Sequence, residues 1–562
     1  MSYTFRHALI VISPALFFIL NSCHNPSKDH AAQLKAAAAH SGPEETRIDE
    51  DLRKILDLAA QRNGNLNDSV RLQYMPLTDS LYQARNYEPV WSKNKKWLPL
   101  GDSLFAFIEK AKNYGLFPAD YHFRSLSFVH RIFQADSLAQ KNSVIWARSD
   151  ILLTDAFFKL VKDLNQGRFA YDSVTLRSDS TLTDSVLTGS LSHALETGDL
   201  TGTLHRLEPA NPGYDSLKAY LPGFLSKAVF GPYTYLNFPY KDSVSFFHDL
   251  VSRFREVGLL ATGAPDPDTT AIRSLLRKFQ RSQGIRANGA LTDQLVDKLN
   301  NSDWEKFKRI AINLDRYKLL PDSLPSNYVW VNLPSFTLDV WRADSLVFSS
   351  RVIVGEPETR TPLLSGEISN FVTYPQWTVP YSIIFREMLP KIQVDTNYLE
   401  KQNLMVVDDE DSVLDPHKID WKKLNRKHFP YTLKQKQGDD NSLGVIKFNF
   451  RNKYSVYLHD TNVRWMFGRP SRALSHGCVR VQEWRKLADF LLRDDSTRHQ
   501  EDSLKAWIKR QEKHVISGFP KLPIFIRYFS CAGVKGRIKF YDDIYEEDRF
   551  LRDKYFAGKT ME

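Results

Sequence analysis

The residues that decide the fold read YVWVNL (328–333), PS (334–335) and FTLDVW (336–341). Apolar and polar side chains alternate on both sides of Pro334 and Ser335, which is the period of a strand with one buried face. A third run, Leu346 to Val354, continues the pattern. The stretch therefore predicts that a β-rich domain begins near residue 326, and residues 326–550 are assigned to it.

Upstream of this boundary the apolar residues have helical spacing. Leu52, Ile55, Leu56 and Ala59 follow the i, i+3, i+4, i+7 pattern, and a strongly apolar helix runs from Ile151 until it ends near Gly167. No carboxylate pair here has a spacing typical of a catalytic site. We therefore predict a helical scaffold domain at 47–239, and a connecting helix at 301–325 that ends at a break near Pro321.

Between them, residues 240–300 predict a small helical module. One helix ends at a glycine, an Asn-Gly turn follows, and a threonine caps the next helix. The residues that carry this pattern are Phe279, Gln280, Gly284, Asn288, Gly289 and Thr292. A helical spacer that binds nothing is the alternative interpretation.

Inside the β-rich domain the strand pattern lapses from about 385 to 440 into a charged stretch, and resumes at VIKFNF (445–450). So long an interruption is usually functional, which predicts a capping or lid insertion. Trp377, between Pro375 and Pro380, is interpreted as core or lid packing.

The chemistry is predicted by YSVYLHD (454–460) and SHGCVR (475–480). Strand alternation places Ser455, Tyr457 and His459 on one face. A helix expected from about Gln482 would put Cys478 near its N-terminus, and this position, with Arg480 nearby, favours a thiolate.

A thiolate beside a histidine predicts acyl transfer through a thioester. His459 is the expected base, and Asp460 would orient its ring by side chain or carbonyl. Backbone N–H groups around Gly477 and Cys478 would stabilise an oxyanion. Ser475 and His476 complete the motif, although His476 could serve packing alone.

Two other interpretations of these side chains stay open. Cys478 could instead be buried and structural, or form a disulfide with Cys531, which is otherwise interpreted as structural. His459 could be a core histidine. The remaining histidines lack metal-ligand spacing, so neither a metal nor a cofactor is predicted.

Composition excludes other classes. The 562 residues carry a net charge of +10, spread along the chain rather than clustered, which argues against nucleic-acid binding. With 42% hydrophobic and 25% charged residues, the chain is that of a multidomain globular protein.

The N-terminus predicts export. Residues 1–22 have Arg6 before a short apolar run and end in LNSC (20–23), which resembles a bacterial lipobox. This predicts cleavage before Cys23, lipidation of its thiol and a flexible tether at 23–46. A plain signal peptide or an N-terminal anchor is the alternative.

At the His459 and Cys478 motifs the chain resembles the L,D-transpeptidases, and further stretches are similar to their large YcbB-like branch. These stretches are INLDRY (312–317), VNLP (331–334), VG (354–355), TP (361–362), PQWTVP (375–380), LHDT (458–461) and DIY (543–545) with Asp548. Asn462 stands where many relatives have proline. Residues 240–300 resemble a three-helix peptidoglycan-binding module.

The resemblance implies a multidomain α+β fold of helical scaffold, peptidoglycan-binding module and β-rich catalytic domain with a capping insertion, followed by a tail at 551–562. It implies Cys478 as nucleophile, His459 as base and Asp460 as the orienting position, with His476, Gly477 and Arg480 shaping the site. The donor would be a tetrapeptide stem cleaved after its third residue, and the acceptor a diamino acid on a neighbouring stem, giving a 3→3 cross-link.

Three further expectations follow from the resemblance and the N-terminus. The protein would be a periplasmic, membrane-anchored envelope lipoprotein that works beside other cell-wall synthases. Carbapenems would acylate Cys478. The alternatives are an L,D-carboxypeptidase with water as acceptor, and a cell-wall-binding lipoprotein without activity.

Overall fold

The computed structural model describes residues 47–67, 69–169, 182–231, 233–284, 286–321, 323–493 and 501–559. The expected signal peptide, tether and lipidated Cys23 lie outside these residues. Within them, no helix combines the length and the apolar composition that a membrane span requires.

The chain divides into two compact units. One comprises the described residues up to Gly101 together with Arg124–Asp155, and the other comprises Asp102–Phe123 and the residues from Ala156 onward. The N-terminal helices are α1 (Ile48–Gln61), α2 (Met75–Ala84), α3 (Pro99–Glu109), α4 (Phe123–Ala135), α5 (Ser137–Lys141), α6 (Ser143–Asn165), α7 (Asp184–Thr197), α8 (Leu200–His205) and α9 (Pro212–Leu225). Two short hairpins pair β1 (Asn65–Asn67) with β2 (Val70–Arg71) and β3 (Ser92–Lys93) with β4 (Lys96–Trp97).

Residues 240–300 form three helices, α10 (Ser243–Glu256), α11 (Thr269–Ser282) and α12 (Asp293–Asn300), around one apolar core. The predicted turn chemistry is present. Gly289 has a φ of 73° and donates its N–H to Gln280 Oε1 at 2.8 Å, and Thr292 Oγ1 accepts from Leu295 N at 3.2 Å.

The other residues of that pattern also act inside the module. Gln280 Nε2 donates to Asn288 Oδ1 at 2.9 Å, Phe279 is buried in the core, and Gly284 has a φ of 68°. The sequence pattern that predicted binding thus describes how this module folds.

The connecting helix α13 (Asp303–Tyr317) carries the INLDRY stretch. The Asn313 amide accepts from Ser530 N at 2.9 Å and donates to Ser530 Oγ at 2.9 Å. Asp315 forms buried ion pairs with Lys318 at 2.9 Å and Arg168 at 2.8 Å. This stretch is therefore a structural junction with the β-rich domain.

The β-rich domain is a closed barrel. Its strands are β5 (Asn327–Asn332), β6 (Thr337–Arg342), β7 (Ser345–Gly355), β8 (Leu364–Thr373), β13 (Ile446–Phe450), β14 (Leu458–His459), β15 (Ala473–Ser475), β16 (Val479–Val481) and β17 (Val515–Arg527). They pair in the order β7-β16-β14-β13-β8-β17-β5-β6, and β6 pairs again with β7 while β15 extends from β7. The first three strands lie where the alternation predicted them.

Three helices follow within this part of the chain. They are α17 (Trp484–Leu492), whose apolar face joins the barrel core, α18 (Glu501–Arg510) and α19 (Glu547–Tyr555). A separate hairpin pairs β18 (Cys531–Val534) with β19 (Arg537–Phe540). The first residues of the expected tail, 551–555, instead continue α19. Phe556, which follows the helix, is buried because it packs against the rings of Phe117 and Phe169.

The insertion is a small subdomain with its own core, and it begins earlier than the expected residue 385. A four-stranded sheet pairs β11 (Val413–Leu414), β10 (Leu404–Val407), β12 (Thr432–Gln435) and β9 (Trp377–Thr378) in that order. The helical segments are α14 (Tyr381–Ile383), a π-helix (Ile384–Met388), α15 (Leu389–Val394) and α16 (Tyr398–Lys401). Strands of two to four residues are too short for alternation to reveal them.

The Asn313 junction yields a prediction. Asn313→Ala leaves the buried Ser530 N–H without its acceptor, which should cost about 1–3 kcal/mol. A midpoint of thermal unfolding lowered by several degrees, measured by circular dichroism, is expected. Asn301→Ala, at an exposed position, is the matched control; equal melting of both variants would contradict the assigned role.

Candidate active site

His459 lies at the end of β14, between two other strands of the barrel. β13 pairs Lys447 with His459, and β16 pairs Arg480 with His459 in parallel register. Ile446, Phe448 and Leu458 point into the barrel core. Since side chains alternate along a strand, Lys447, His459 and Arg480 form one row on the outer face.

The next outward-facing pair contains the cysteine. Val479 pairs with Leu458, and Val479 N donates to Tyr457 O at 3.1 Å, so Cys478 lies beside Tyr457. Tyr457 donates hydrogen bonds to the Cys478 sulfur from its hydroxyl and its backbone N–H. The Tyr457 ring centroid lies 5.6 Å from that of His459 and 4.0 Å from Lys447 Nζ. One surface of the barrel thus carries Lys447, Tyr457, His459, Cys478 and Arg480, and of these only Lys447 was not predicted as a site residue.

Both described cysteines are free thiols, so the disulfide alternative is wrong. Cys531 is fully buried at the start of β18, with its sulfur 3.9 Å from Arg309 O. Burial raises the pKa of the Cys531 thiol far above its ordinary value. It is the structural cysteine that the sequence indicated.

The helix expected from about Gln482 is present, but a strand separates its N-terminus from Cys478. β16 follows the cysteine directly, and α17 begins only at Trp484. Burial raises the pKa of the Cys478 thiol, although Tyr457, Lys447 and Arg480 act in the opposite direction. The resting group is therefore a thiol, and the expectation of a thiolate favoured by a helix dipole is wrong.

His459 is a neutral base. Burial, assisted by the positive charge of Arg480, lowers the pKa of its imidazole to about 3. Its Nδ1 has no hydrogen-bond partner within the described chain. A neutral ring beside a protonated thiol can accept the thiol proton when a substrate arrives.

The side chain of Asp460 is held away from the imidazole. Its carboxylate accepts from Val445 N at 3.1 Å and from the Arg464 guanidinium at 2.8 Å, and its own N–H donates to Ile446 O at 3.0 Å. Burial raises the pKa of this carboxyl. These contacts fix the end of β14, and it is the Asp460 backbone carbonyl, together with that of Leu443, that acts on the imidazole and favours its protonated form.

The SHGC turn is held by its own serine. Ser475 Oγ donates to Cys478 O at 2.6 Å and accepts from Gly477 N at 3.2 Å. Gly477 has a φ of 116°, a conformation that side chains disfavour, which explains the glycine. Because Ser475 already accepts the Gly477 N–H, that group is not free to act as the expected oxyanion donor.

A second support for the turn was missed by sequence reasoning. Thr361 Oγ1 donates to Gly477 O at 2.8 Å, and Thr361 N donates to Tyr545 Oη at 3.1 Å. Tyr545 in turn donates to Gly355 O at 2.6 Å. The VG, TP and DIY stretches thus meet behind the nucleophile.

The insertion reaches the site at two points. His476 Nε2 lies 2.8 Å from Glu387 Oε1, and the Trp377 indole donates a hydrogen bond to the Tyr457 hydroxyl. Glu387 belongs to the π-helix, a feature that is frequent at functional sites. Trp377 therefore contacts the site residue Tyr457 in addition to packing, and His476 faces the insertion.

Lys447 is the site residue that sequence reasoning missed. The alternation of IKFNF sets Lys447 opposite the apolar face, but this marks any exposed lysine. Only the pairing of β13 with β14 brings it to His459. Among the described residues, no cluster of histidine, cysteine and acidic side chains could hold a metal ion.

The thiol environment yields a prediction. Alkylation of Cys478 by iodoacetamide should rise with pH along a limb above the ordinary thiol pKa of ~8.5. Tyr457→Phe removes a donor to the sulfur and should move this limb to still higher pH. Tyr454→Phe, at an exposed tyrosine, is the matched control, and a rate that is already constant from pH 6 to 7 would show a thiolate at rest.

Comparisons with known proteins identify two of the domains. A family model described as a scaffold domain matches residues 76–221, and one described as an L,D-transpeptidase catalytic domain matches residues 326–502. A curated Haemophilus influenzae protein named "Putative L,D-transpeptidase" is 37% identical over 243 residues, which are 43% of this chain and 48% of that protein. The chain thus spans about half the length of this relative.

Two solved structures are also similar. An Enterococcus faecium L,D-transpeptidase has 10% identity and a TM-score of 0.17, covering 39% of this chain and 62% of that one. One from Stackebrandtia nassauensis has 15% identity and a TM-score of 0.15, covering 50% and 90%. The family models and the curated relative carry the comparison, and a scaffold domain ahead of an L,D-transpeptidase catalytic domain fits the large, YcbB-like family of L,D-transpeptidases.

Proposed function

We propose that this protein is a peptidoglycan L,D-transpeptidase that works through a cysteine thioester. The observation that carries the proposal is the neutral His459 next to the Cys478–Tyr457 pair on one face of the barrel. A thiol, a base that is neutral at physiological pH and a hydroxyl donor to the sulfur are the groups that acyl transfer requires.

In the acylation half-reaction, the Cys478 sulfur attacks the carbonyl carbon of the third stem residue. The thiol proton passes to His459, and the Tyr457 hydroxyl stabilises the negative charge that develops on the sulfur. The carbon–nitrogen bond then breaks, His459 protonates the leaving nitrogen, and the terminal D-amino acid departs. The donor remains as a thioester on Cys478.

In the second half-reaction, the side-chain amine of a diamino acid on a neighbouring stem attacks the thioester. His459 accepts one proton of the amine and returns it to the sulfur as the carbon–sulfur bond breaks. The product is a 3→3 cross-link, and the thiol is regenerated. Contacts of the insertion with Tyr457 and His476 support an amine acceptor, because a covered site limits the access of water.

The cellular setting is also part of the proposal. The sequence before residue 24 supports an envelope lipoprotein anchored through Cys23 and facing the peptidoglycan of the periplasm. Other cell-wall synthases would supply the stems.

Cys23→Ala tests the anchor. The variant should lose incorporation of labelled palmitate and leave the membrane fraction, whereas Ser22→Ala, which keeps a small residue before the cysteine, should stay lipidated. Membrane retention of unlabelled Cys23→Ala protein would contradict the lipoprotein and favour an uncleaved anchor.

Cys478→Ser tests the chemistry. Its rate of forming cross-linked dimers from disaccharide-tetrapeptides should fall below ~10⁻³ of the wild-type rate, measured by mass spectrometry. A carbapenem should add its mass to the wild-type protein and not to this variant. Cys531→Ala, which keeps Cys478, is the control for both measurements.

The alternative activities give different results. Tripeptides without dimers would identify an L,D-carboxypeptidase. Dimer formation by Cys478→Ser at the wild-type rate would disprove the thioester. A wild-type protein that converts none of the substrate would favour the cell-wall-binding protein without activity.

A further inference from the structure

The outer face of the barrel carries two cations next to the nucleophile. Lys447 and Arg480 lie on either side of His459 in one row across three strands. Arg480 lies two residues after Cys478, about 7 Å along the extended chain, and the Lys447 ammonium reaches over the ring of Tyr457, the neighbour of Cys478. The charges of both act on the Cys478 thiol.

Neither cation forms an ion pair with another described residue. Within the described chain, no carboxylate lies at ion-pair distance from Lys447 or Arg480, and Glu356 acts on Arg480 only from further away. Arg480 Nε is buried without a hydrogen-bond partner, and its Nη1 contacts the Met466 sulfur at 3.7 Å. Lys447 Nζ lies 4.0 Å from the Tyr457 ring centroid.

Burying a cation without a counter-ion costs free energy of folding, and such cations occur at sites where an anionic ligand binds to them. Burial lowers the pKa of Lys447 and of Arg480, because it removes water that would stabilise the charged forms. A guanidinium with an unused N–H matches a carboxylate. The site is therefore built for an anion that the protein does not supply.

We infer that Lys447 and Arg480 bind the free carboxylate of the terminal residue that leaves the donor stem. This inference rests on the proposed function. That carboxylate carbon lies only ~2.5 Å from the scissile nitrogen, because it is two bonds away. A side-chain carboxylate on the third residue lies several bonds further along a flexible chain. The row thereby selects stems that end one residue after the attacked carbonyl.

The test compares three donors with wild-type enzyme. They are the tetrapeptide with a free terminal carboxylate, the same tetrapeptide as its terminal carboxamide, and a tetrapeptide in which only the side-chain carboxylate of the third residue is amidated. The wild type should prefer the first donor over the carboxamide by roughly 10–100-fold in kcat/KM, as a charged hydrogen bond gives. The side-chain amide should be used nearly as well as the free acid.

Lys447→Met should reduce the preference for acid over carboxamide at least ~5-fold, because one of the two cations remains, and Lys447→Arg should restore it. The preference is a ratio of two kcat/KM values measured on the same folded enzyme. A merely structural defect would lower kcat/KM for both donors by the same factor and leave the ratio unchanged. Lys453→Met is the matched control, since Lys453 is an exposed lysine over the Tyr454 ring, 5.2 Å from its centroid. It should keep the wild-type preference.

Three outcomes would overturn the inference while the proposed function stands. The wild type could use acid and carboxamide equally. Lys447→Met could slow both donors by the same factor, which would show that Lys447 does not recognise the terminal carboxylate. Amidation of the third residue's side chain could reproduce the loss, which would assign the other carboxylate. A wild-type enzyme that turns over none of the donors would instead disprove the proposed function.

Discussion

The pairing of β14 between β13 and β16 is the constraint on which the site depends. These strands bring His459 to Lys447 on one side and to Arg480 on the other. A slip by one residue would turn the whole polar row into the barrel core and expose Leu458 and Val479. Burial of the apolar face therefore fixes the register, and the register fixes the chemistry.

Burial also sets the protonation states of the two central groups. It lowers the pKa of His459 and raises that of Cys478, so a neutral pair is favoured over a thiolate–imidazolium pair. The adjacent cations lower the pKa of His459 further, because they oppose a positive charge on the ring. On Cys478 they act against burial, because they stabilise the negative charge of a thiolate. The site is thus prepared for negative charge that appears only when a substrate is attacked.

Sequence patterns predicted elements where the local signal was long or chemically specific. The strands from Tyr328 onward alternate over many residues, and Thr292 caps its helix as expected. The apolar spacing from Trp484 onward predicted the helix correctly, but the inference that its N-terminus adjoins Cys478 was wrong because a three-residue strand, too short to recognise in the sequence, lies between them. Lys447 was missed because its role depends on pairing between strands, which a single sequence does not reveal.

The long resemblance outside the catalytic motif has a physical explanation in one hydrogen-bonded path. Asn313 on α13 holds Ser530, and Ser530 donates to Asp548. Asp548 N donates to Asp543, which also accepts from Tyr528, and the Tyr528 hydroxyl accepts from Tyr545 N.

Tyr545 continues this path to the nucleophile, because its hydroxyl accepts from Thr361 N while Thr361 Oγ1 donates to Gly477 O. A helix before the barrel and a segment after it are thereby joined to the turn that carries Cys478. A buried polar network of this kind is costly if one member is lost, since the remaining groups have no water to replace it. The connecting helix and the DIY segment therefore belong to the structure of the active site, although none of their side chains needs to touch a substrate.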